Sequence, residues 1–396
     1  MQTITDTGLS PPLRILMLCP QYRPLVGGYE RAAERLSAAL VVRGHQVTVI
    51  AERRDARWPK QETIDGVSVR RLWCLYRPRF HIMTTLFSFA LYLLTRGRRF
   101  EVWHVHQYGL VAALAIALGN VLGRPVVLKL SSTEDYGLAQ AAKSGRFTAL
   151  LSYLFKRVAA IVTTTRETTS EAIAFGIPAE RIHCLGNGVD TADFCPRDEQ
   201  ARAELKQQLG LGTCRVVLYV GRLSEEKNPD GLLQAWIMAL PSLPVNWKLV
   251  LVGDGAMRDA LDAMLSEHGL ENKVVLAGQQ RNIEQWLGSV DIYVLSSRIE
   301  GLSNSLLEAM ASGLPVVATR VSGVGELVEE SGAGLGVAVG DMTGVAKALA
   351  RLASDPGLRL RMGTVGRQVI VGRYAITAVA GQHEALYRQL LAVGSH

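Results

Sequence analysis

The sequence predicts an α/β protein of two successive doubly wound units, and three observations carry that prediction. Short runs rich in Val, Ile and Leu alternate with helix-period stretches along almost the whole chain, the pattern of parallel strands joined by crossover helices. Runs such as VVLKL at 126–130 are nearly continuous in apolar character, which suits strands covered by helices on both faces. The alternation is interrupted by a polar stretch containing Gly and Pro, Asn187–Gly212, which reads as a linker before a second series begins.

In the first series, strands are expected over Arg14–Cys19, Gln46–Ala51, Val67–Leu72, Val102–Val105, Val126–Lys129 and Ala160–Thr163. Helices are expected over Tyr29–Arg43, Ile82–Leu94, Leu110–Leu122 and Phe147–Val158. The second series predicts strands over Val216–Val220, Lys248–Val252, Val274–Leu276, Ile292–Leu295 and Val316–Thr319, interleaved with helices. GAGLG at Gly332–Gly336 reads as a turn that precedes a strand, and a last helix over about Ile376–Leu391 closes the series.

Composition narrows the function classes. With 48 % hydrophobic and 20 % charged residues in 396, the chain has the material for two cores and is not a disordered protein. Its five cysteines (Cys19, Cys74, Cys184, Cys195, Cys214) are odd in number and contain no C-x-x-C. That argues against a disulfide framework or zinc ribbon and for a reducing cytoplasm. The opening MQTITDTGLSPPLR lacks an apolar stretch, so no secretory signal is expected. Ile82–Thr95, 14 uncharged and mostly apolar residues, is too short to span a bilayer. It fits a buried or an interfacial helix, and the buried reading is preferred.

Charge is divided unevenly. Residues 1–186 carry 24 Lys and Arg against 13 Asp and Glu, a balance of +11, while residues 187–396 balance at −4. A basic half can face anionic lipid, a phosphorylated acceptor or nucleic acid, or be a solvated face with no partner. Nucleic acid is disfavoured because no recognised binding motif accompanies the charge.

Five segments bear on chemistry. The densest, SSRIEGLSNSLLEAMASGLPVVAT (Ser296–Thr319), begins at a strand's carboxyl end, where open α/β sheets bind ligands. Ser303 and Asn304 can cap a helix whose N-terminal amides, including that of Ser305, offer positive potential to a phosphate. Glu300 falls in the loop and Glu308 one turn inside the helix, where its carboxylate can chelate neighbouring hydroxyls; either alone is also an ordinary surface glutamate. In YVGRLSEEKNPDGLLQAW (Tyr219–Trp236), Arg222 and Lys227 can reach one diphosphate, Arg as a planar fork and Lys as a point charge. Gly253 opens a G-x-G after a strand, a turn near a ligand or a plain strand–helix turn. Gly27 and Gly28 precede the first long helix and allow close backbone approach. His104 and His106 end a strand in VWHVHQYG; no metal-spaced carboxylate or thiol completes a set with them. The preferred assignment puts one in the core and one at the site.

Together and in this order, these motifs resemble the family 4 retaining glycosyltransferases, and the resemblance covers nearly the whole chain. It rests on the E-x7-E signature Glu300-GLSNSLL-Glu308, on AMASGLPVVAT after it, and on VGRLSEEKN and VGDG before it. It implies the GT-B fold: two facing Rossmann-like domains with a cleft between them. The acceptor-side domain would be residues 1–187, with a helix over 375–396 crossing back onto it, and the donor domain residues 188–374. GNGVD at Gly186–Asp190 is similar to the family's interdomain hinge.

Carried over residue by residue, the resemblance implies that Arg222 and Lys227 bind the donor diphosphate and Glu308 the nucleotide ribose. It puts Glu300 on the transferred sugar, and His106 near that sugar and the acceptor's attacking oxygen. The amides of Gly27, Gly28, Asn304 and Ser305 would cradle phosphate, with Gly253 and Ser303 lining the donor site. No metal and no cofactor are expected, since no Asp-x-Asp occurs among the 14 Asp residues. The expected partners are a nucleotide sugar, UDP favoured over GDP, and a glycan, lipid-linked or small-molecule acceptor. The expected location is the cytoplasm, with peripheral contact to anionic membrane. LKLSSTEDYG (Leu128–Gly137) departs from the family's Thr-x-His-Gly-like stretch, and Ser322–Gly325 replaces its usual glycine pair. On the residues alone, a non-catalytic binding protein or a nucleotide-sugar epimerase on the same fold stays open. An NAD-dependent oxidoreductase is disfavoured by the lack of a full G-x-G-x-x-G.

Overall fold

The computed structural model describes residues 11–24, 27–78, 80–130 and 148–393. Two sheets organise them. The first has the order β3-β4-β2-β1-β5-β6-β7-β8. Its strands are β1 Arg14–Leu18, β2 Gln46–Arg53, β3 Gln61–Ile64, β4 Val67–Trp73, β5 Val102–Val105, β6 Val126–Leu130, β7 Ala160–Thr163 and β8 Ile182–Cys184. Every pairing is parallel except β3 with β4.

The second sheet is parallel throughout, in the order β11-β10-β9-β12-β13-β14. Here β9 is Arg215–Val220, β10 Trp247–Val252, β11 Val274–Gly278, β12 Ile292–Leu295, β13 Val316–Thr319 and β14 Gly334–Val337. In each sheet the strand order reverses beside the unit's first strand: between β1 and β5, and between β9 and β12. Such switch points leave a crevice at the carboxyl ends of the strands.

Two strands lack an expected counterpart, each for a physical reason, and a third starts earlier than expected. β3 (QETI) is a polar edge strand and β8 (IHC) has only three residues, so neither makes an apolar run. The strand expected after Gly332–Gly336 starts inside that segment, as β14 (GLGV): a Cβ at Gly334 would stand 2.3 Å from the Val316 carbonyl, so glycine there serves close strand pairing and not only a turn. The linker reading also needs correction. Asp198 caps a helix over Glu199–Gln208, and that helix is tied to the second unit through Asp291, which accepts from Arg202, Lys206 and Arg215 at 2.7–3.0 Å. That buried carboxylate is held below its usual range by these cations despite its desolvation.

The preferred burial of the Ile82–Thr95 run is overturned as well. The helix His81–Arg96 buries only Thr85, Phe89 and Leu93, while Met83 and Phe87 are 65 % and 64 % exposed. An apolar sequence on all sides carries no periodicity to say which face packs.

The closing helix, Ile376–Val393, lies on the first sheet's core, contributing Ala380, Leu386 and Tyr387 to it. Where it leaves the second unit, Val189 N donates to the Tyr374 carbonyl and Ile376 N to the Val189 carbonyl, both at 2.8 Å. Two crossings between the units therefore run side by side.

Candidate active site in the cleft between the sheets

Both switch points open onto one cleft of about 1210 Å³, lined from the first unit by the Gly27–Ala32 and His106–Leu110 segments and from the second by Gly221, Gly253 and Gly301–Ser305. The candidate site residues named from sequence border it: Gly27, Gly28, His106, Arg222, Lys227, Gly253, Glu300, Ser303, Asn304, Ser305 and Glu308.

Ser303 caps the helix Asn304–Ala311, its hydroxyl accepting from Leu306 N at 3.4 Å. Tyr293 on β12 donates to Ser305 Oγ at 2.7 Å, fixing the first turn to the sheet beneath. The helix so placed points its positive end into the cleft.

The two glutamates of this segment have different partners. Glu300 Oε1 lies 2.8 Å from Lys227 Nζ and accepts from Ser297 Oγ at 2.9 Å. Glu308, 1 % exposed, pairs across the cleft with Arg35 at 2.5 Å, and Arg31 stands 3.9 Å away. Arg222, with its side chain 66 % exposed, makes a loose 3.6 Å pairing with Glu226. Its loop is held from below: Tyr219 OH donates to the Arg222 carbonyl at 2.9 Å, and Leu223 N donates to the Asp254 carbonyl at 3.0 Å.

Gly253 is required twice over. Its φ is +143°, and a Cβ there would lie 1.8 Å from the Gly221 carbonyl. The β9 and β10 loops thus touch backbone to backbone at the edge of the cleft that Gly253 lines.

From the first unit, Gly27 is the extended N-cap of the helix Gly28–Val42. The side chain of Glu30 folds back over that end, so a Cβ on Gly27 would meet its Oε2 at 2.3 Å. Burial raises the Glu30 carboxyl, opposed by its own amide and by Arg54 and Arg222. His104 is in the core. His106, 2 % exposed, forms part of the cleft wall and stacks on His104 at 4.3 Å between ring centroids. His104 Nδ1 lies 2.6 Å from Tyr387 OH and His106 Nε2 3.3 Å from Met17 Sδ. Desolvation holds both imidazoles well below their ordinary value, reinforced by neighbouring His383 and Lys129.

Sequence reasoning missed a polar chain that crosses the cleft. Lys129 Nζ donates to Asn187 Oδ1 at 2.7 Å. Asn187 Nδ2 donates to Asn304 Oδ1 at 2.9 Å, and Asn304 Nδ2 to the Gly28 carbonyl at 2.9 Å. The visible signal was the lysine in VVLKL, an ionisable residue inside an apolar strand; burial lowers it to about 8. Arg31 and Arg35 were also passed over, because helical arginines read as surface. The departure from the family pattern at Leu128–Gly137 lies, beyond Leu130, outside the described residues.

The comparisons with known proteins agree with this architecture. Residues 201–369 match the family described as "Glycosyl transferases group 1", and residues 27–188 match a "Glycosyl transferase 4-like domain". The lipopolysaccharide core biosynthesis glycosyltransferase LpsE of Rhizobium meliloti is 32 % identical over 256 residues, covering 65 % of this chain and 70 % of that one. The GDP-mannose-dependent alpha-(1-6)-phosphatidylinositol monomannoside mannosyltransferase of Mycolicibacterium smegmatis is 29 % identical, covering 89 % and 92 %. Among solved structures, Anabaena HepE in complex with UDP shares the fold at a TM-score of 0.78 and 20 % identity, covering 95 % and 100 %.

Proposed function

The chain belongs to the group 1 glycosyltransferases, of the family 4 type, and we propose that it transfers sugar from a nucleotide-diphosphate donor with retention of anomeric configuration and without a metal ion. The acceptor is a glycan, a lipid-linked sugar or a small molecule, and the setting is cytoplasmic. One observation carries the reading. Arg222, the Lys227–Glu300 pair and the N-terminus of the helix Asn304–Ala311 converge at the second unit's switch point, with Glu308 one turn inside.

A nucleoside diphosphate fits that arrangement. Its ribose hydroxyls meet Glu308, and its phosphates meet Arg222, Lys227 and the helix amides. Those positive groups stabilise the charge that grows on the leaving phosphate, the main electrostatic demand of the reaction. The acceptor hydroxyl attacks the face the nucleotide leaves, and a leaving phosphate oxygen takes its proton. A divalent cation beside Arg222 and Lys227 would add like-charge repulsion in a partly desolvated site. Uridine is favoured by the UDP complex of a protein of the same fold, and guanosine is kept in view by the GDP-mannose-dependent relative.

The test joins binding to turnover. Thermal midpoints are measured with UDP, GDP and their sugars, since a ligand of the native state raises stability by mass action. Transfer or donor hydrolysis then follows, before and after exhaustive EDTA treatment, with the product anomer read by NMR. Activity surviving EDTA with a retained anomer is expected. An inverted product, an epimerised donor, or complete loss that Mg²⁺ or Mn²⁺ restores would overturn the corresponding part of the reading.

Arg222→Ala and Lys227→Ala should each reduce kcat/KM by roughly 100-fold or more, because a charge-assisted phosphate contact of about 1.5–3 kcal/mol strengthens as charge develops. The Arg222 variant should leave the thermal midpoint unchanged, since that side chain is two-thirds exposed. Near-normal turnover in both would remove the loop from the active site.

A further inference from the structure

The helix His81–Arg96 presents an apolar face to solvent. Phe80, Met83, Phe87, Leu91 and Leu94 recur at intervals of 3, 4, 4 and 3, which is one face of a helix, and each is more than half exposed. The opposite face, with Thr85, Phe89 and Leu93, packs into the first core. The helix is held firmly at its start. Thr85 Oγ1 donates to Glu52 Oε1 at 3.0 Å, and His81 Nε2 lies 3.0 Å from the same oxygen. Just before it, Trp73 and Tyr76 are also exposed.

Charge flanks this face on a single sign. Arg77 precedes the helix and Arg96, Arg98 and Arg99 close it, all exposed, and no Asp or Glu occurs from Trp73 to Phe100. Five large apolar side chains in solvent, bracketed by arginines without an intervening carboxylate, are ill suited to water and well suited to an anionic interface. The helix has 16 residues, about 24 Å at 1.5 Å per residue, against a hydrocarbon core of about 30 Å. It can lie in a membrane surface but not cross it, and among the described residues no helix is long and apolar enough to cross.

We propose that this face docks the protein on the surface of an anionic lipid bilayer, the apolar stripe entering the headgroup boundary and the arginines meeting lipid phosphates. The occupant is lipid rather than protein because the segment Trp73–Phe100, which supplies the face and its flanks, carries arginines at both ends and no carboxylate, matching a uniformly anionic surface. The proposal deepens the acceptor reading above by making a lipid-linked acceptor the favoured class. Vesicle binding is measured without donor or acceptor, so its failure and a failure of transfer are separate results.

The experiment floats the full chain with vesicles of phosphatidylcholine containing about 30 % phosphatidylglycerol, and with phosphatidylcholine alone, at low and high salt. Binding to the anionic vesicles that weakens with salt is expected. Arg98→Glu with Arg99→Glu should lower the partition coefficient by about tenfold or more, as surface arginines each contribute several-fold. Met83→Asp with Phe87→Asp should abolish binding while leaving the thermal response to UDP intact, which shows that the fold and the donor site survive. Wild-type protein that fails to float at low salt, or binding unchanged in both double variants, would overturn the proposal. So would a wild-type dimer that Met83→Asp with Phe87→Asp makes monomeric, since the face would then belong to a second copy.

Discussion

Glu300 and Glu308 are eight residues apart, yet one answers to its own loop and the other to the opposite unit. Glu300, with Lys227 and Ser297 on one oxygen, is oriented toward whatever lies over the positive loop. Its replacement by Gln keeps the size and the Ser297 contact but removes the charge. Glu300→Gln should therefore lower kcat, while Glu308→Gln should mainly raise donor KM, because ribose contacts are made equally in ground and transition states. Steady-state kinetics on both variants separate the roles, and small equal changes in both parameters would count against them. Arg35 adds a further expectation. Glu308 is almost fully buried, so Arg35→Met leaves it without its near partner, a change that costs about 3–5 kcal/mol when a buried pair is broken from one side. Arg31→Met, at 3.9 Å and more exposed, should cost far less. Thermal unfolding of the two variants side by side checks this, and equal midpoints would reduce Arg35 to a surface contact.

At the scale of elements, the donor-side loops depend on one glycine. Gly253→Ala must relieve both a positive φ and a Cβ placed 1.8 Å from the Gly221 carbonyl, so the β9 and β10 loops have to part. The expected outcome is a folded protein of lower midpoint whose UDP-induced stabilisation is largely lost; an unchanged response to UDP would mean the loops act independently. The switch-point elements were legible because their strands are β-branched apolar runs with sharp ends: VVLYV before Gly221 and IYVL before Ser296. What escaped were elements without that contrast. β3 is polar, the glycines of β14 hid where that strand starts, and the helix Glu199–Gln208 is polar along most of its length, so only its Asp198 cap announced it. The helix His81–Arg96 failed differently: its existence was plain, but uniform apolarity concealed which side faces water. The site followed the same rule. Residues in motifs at strand ends were found, whereas Arg35, Lys129 and Asn187 matter through pairings between distant segments that no local pattern encodes.

The whole molecule is bound together by the closing helix, which buries a histidine against the first unit, and loss of stability in mild acid is the expected consequence. His383 lies against the first sheet, with Nδ1 at 2.8 Å from the Val379 carbonyl and its ring stacked 5.6 Å from that of His104. Desolvation, with Lys129 adding to it, lowers His383 to about 3; His104 and His106 beside it are lowered too. In the unfolded chain each imidazole titrates near its ordinary value of about 6.5. Between that value and the depressed folded ones the unfolded state binds more protons, so stability rises with pH and is lost as pH falls below about 6.5. By about pH 4.5, His383 alone accounts for roughly 2–3 kcal/mol. Lys129, lowered to about 8, changes its contribution only at higher pH. Glu384, lowered to about 2 by Arg388, Arg43 and His45 against its own desolvation, adds its loss only below the ordinary carboxylate range near 4.5. The interval from about pH 6.5 to 5 therefore reports chiefly the three buried histidines, with His183, also lowered by desolvation, adding to the fall and Glu30, raised by burial, opposing it toward the acid end. Urea midpoints of the wild type should fall steadily across it, and His383→Gln should flatten that fall by about a third if the three rings contribute alike. A wild-type midpoint that holds level from pH 7 to 5 would mean that the buried imidazoles bind protons in the folded protein as readily as in the unfolded chain, and would overturn this account of the acid sensitivity.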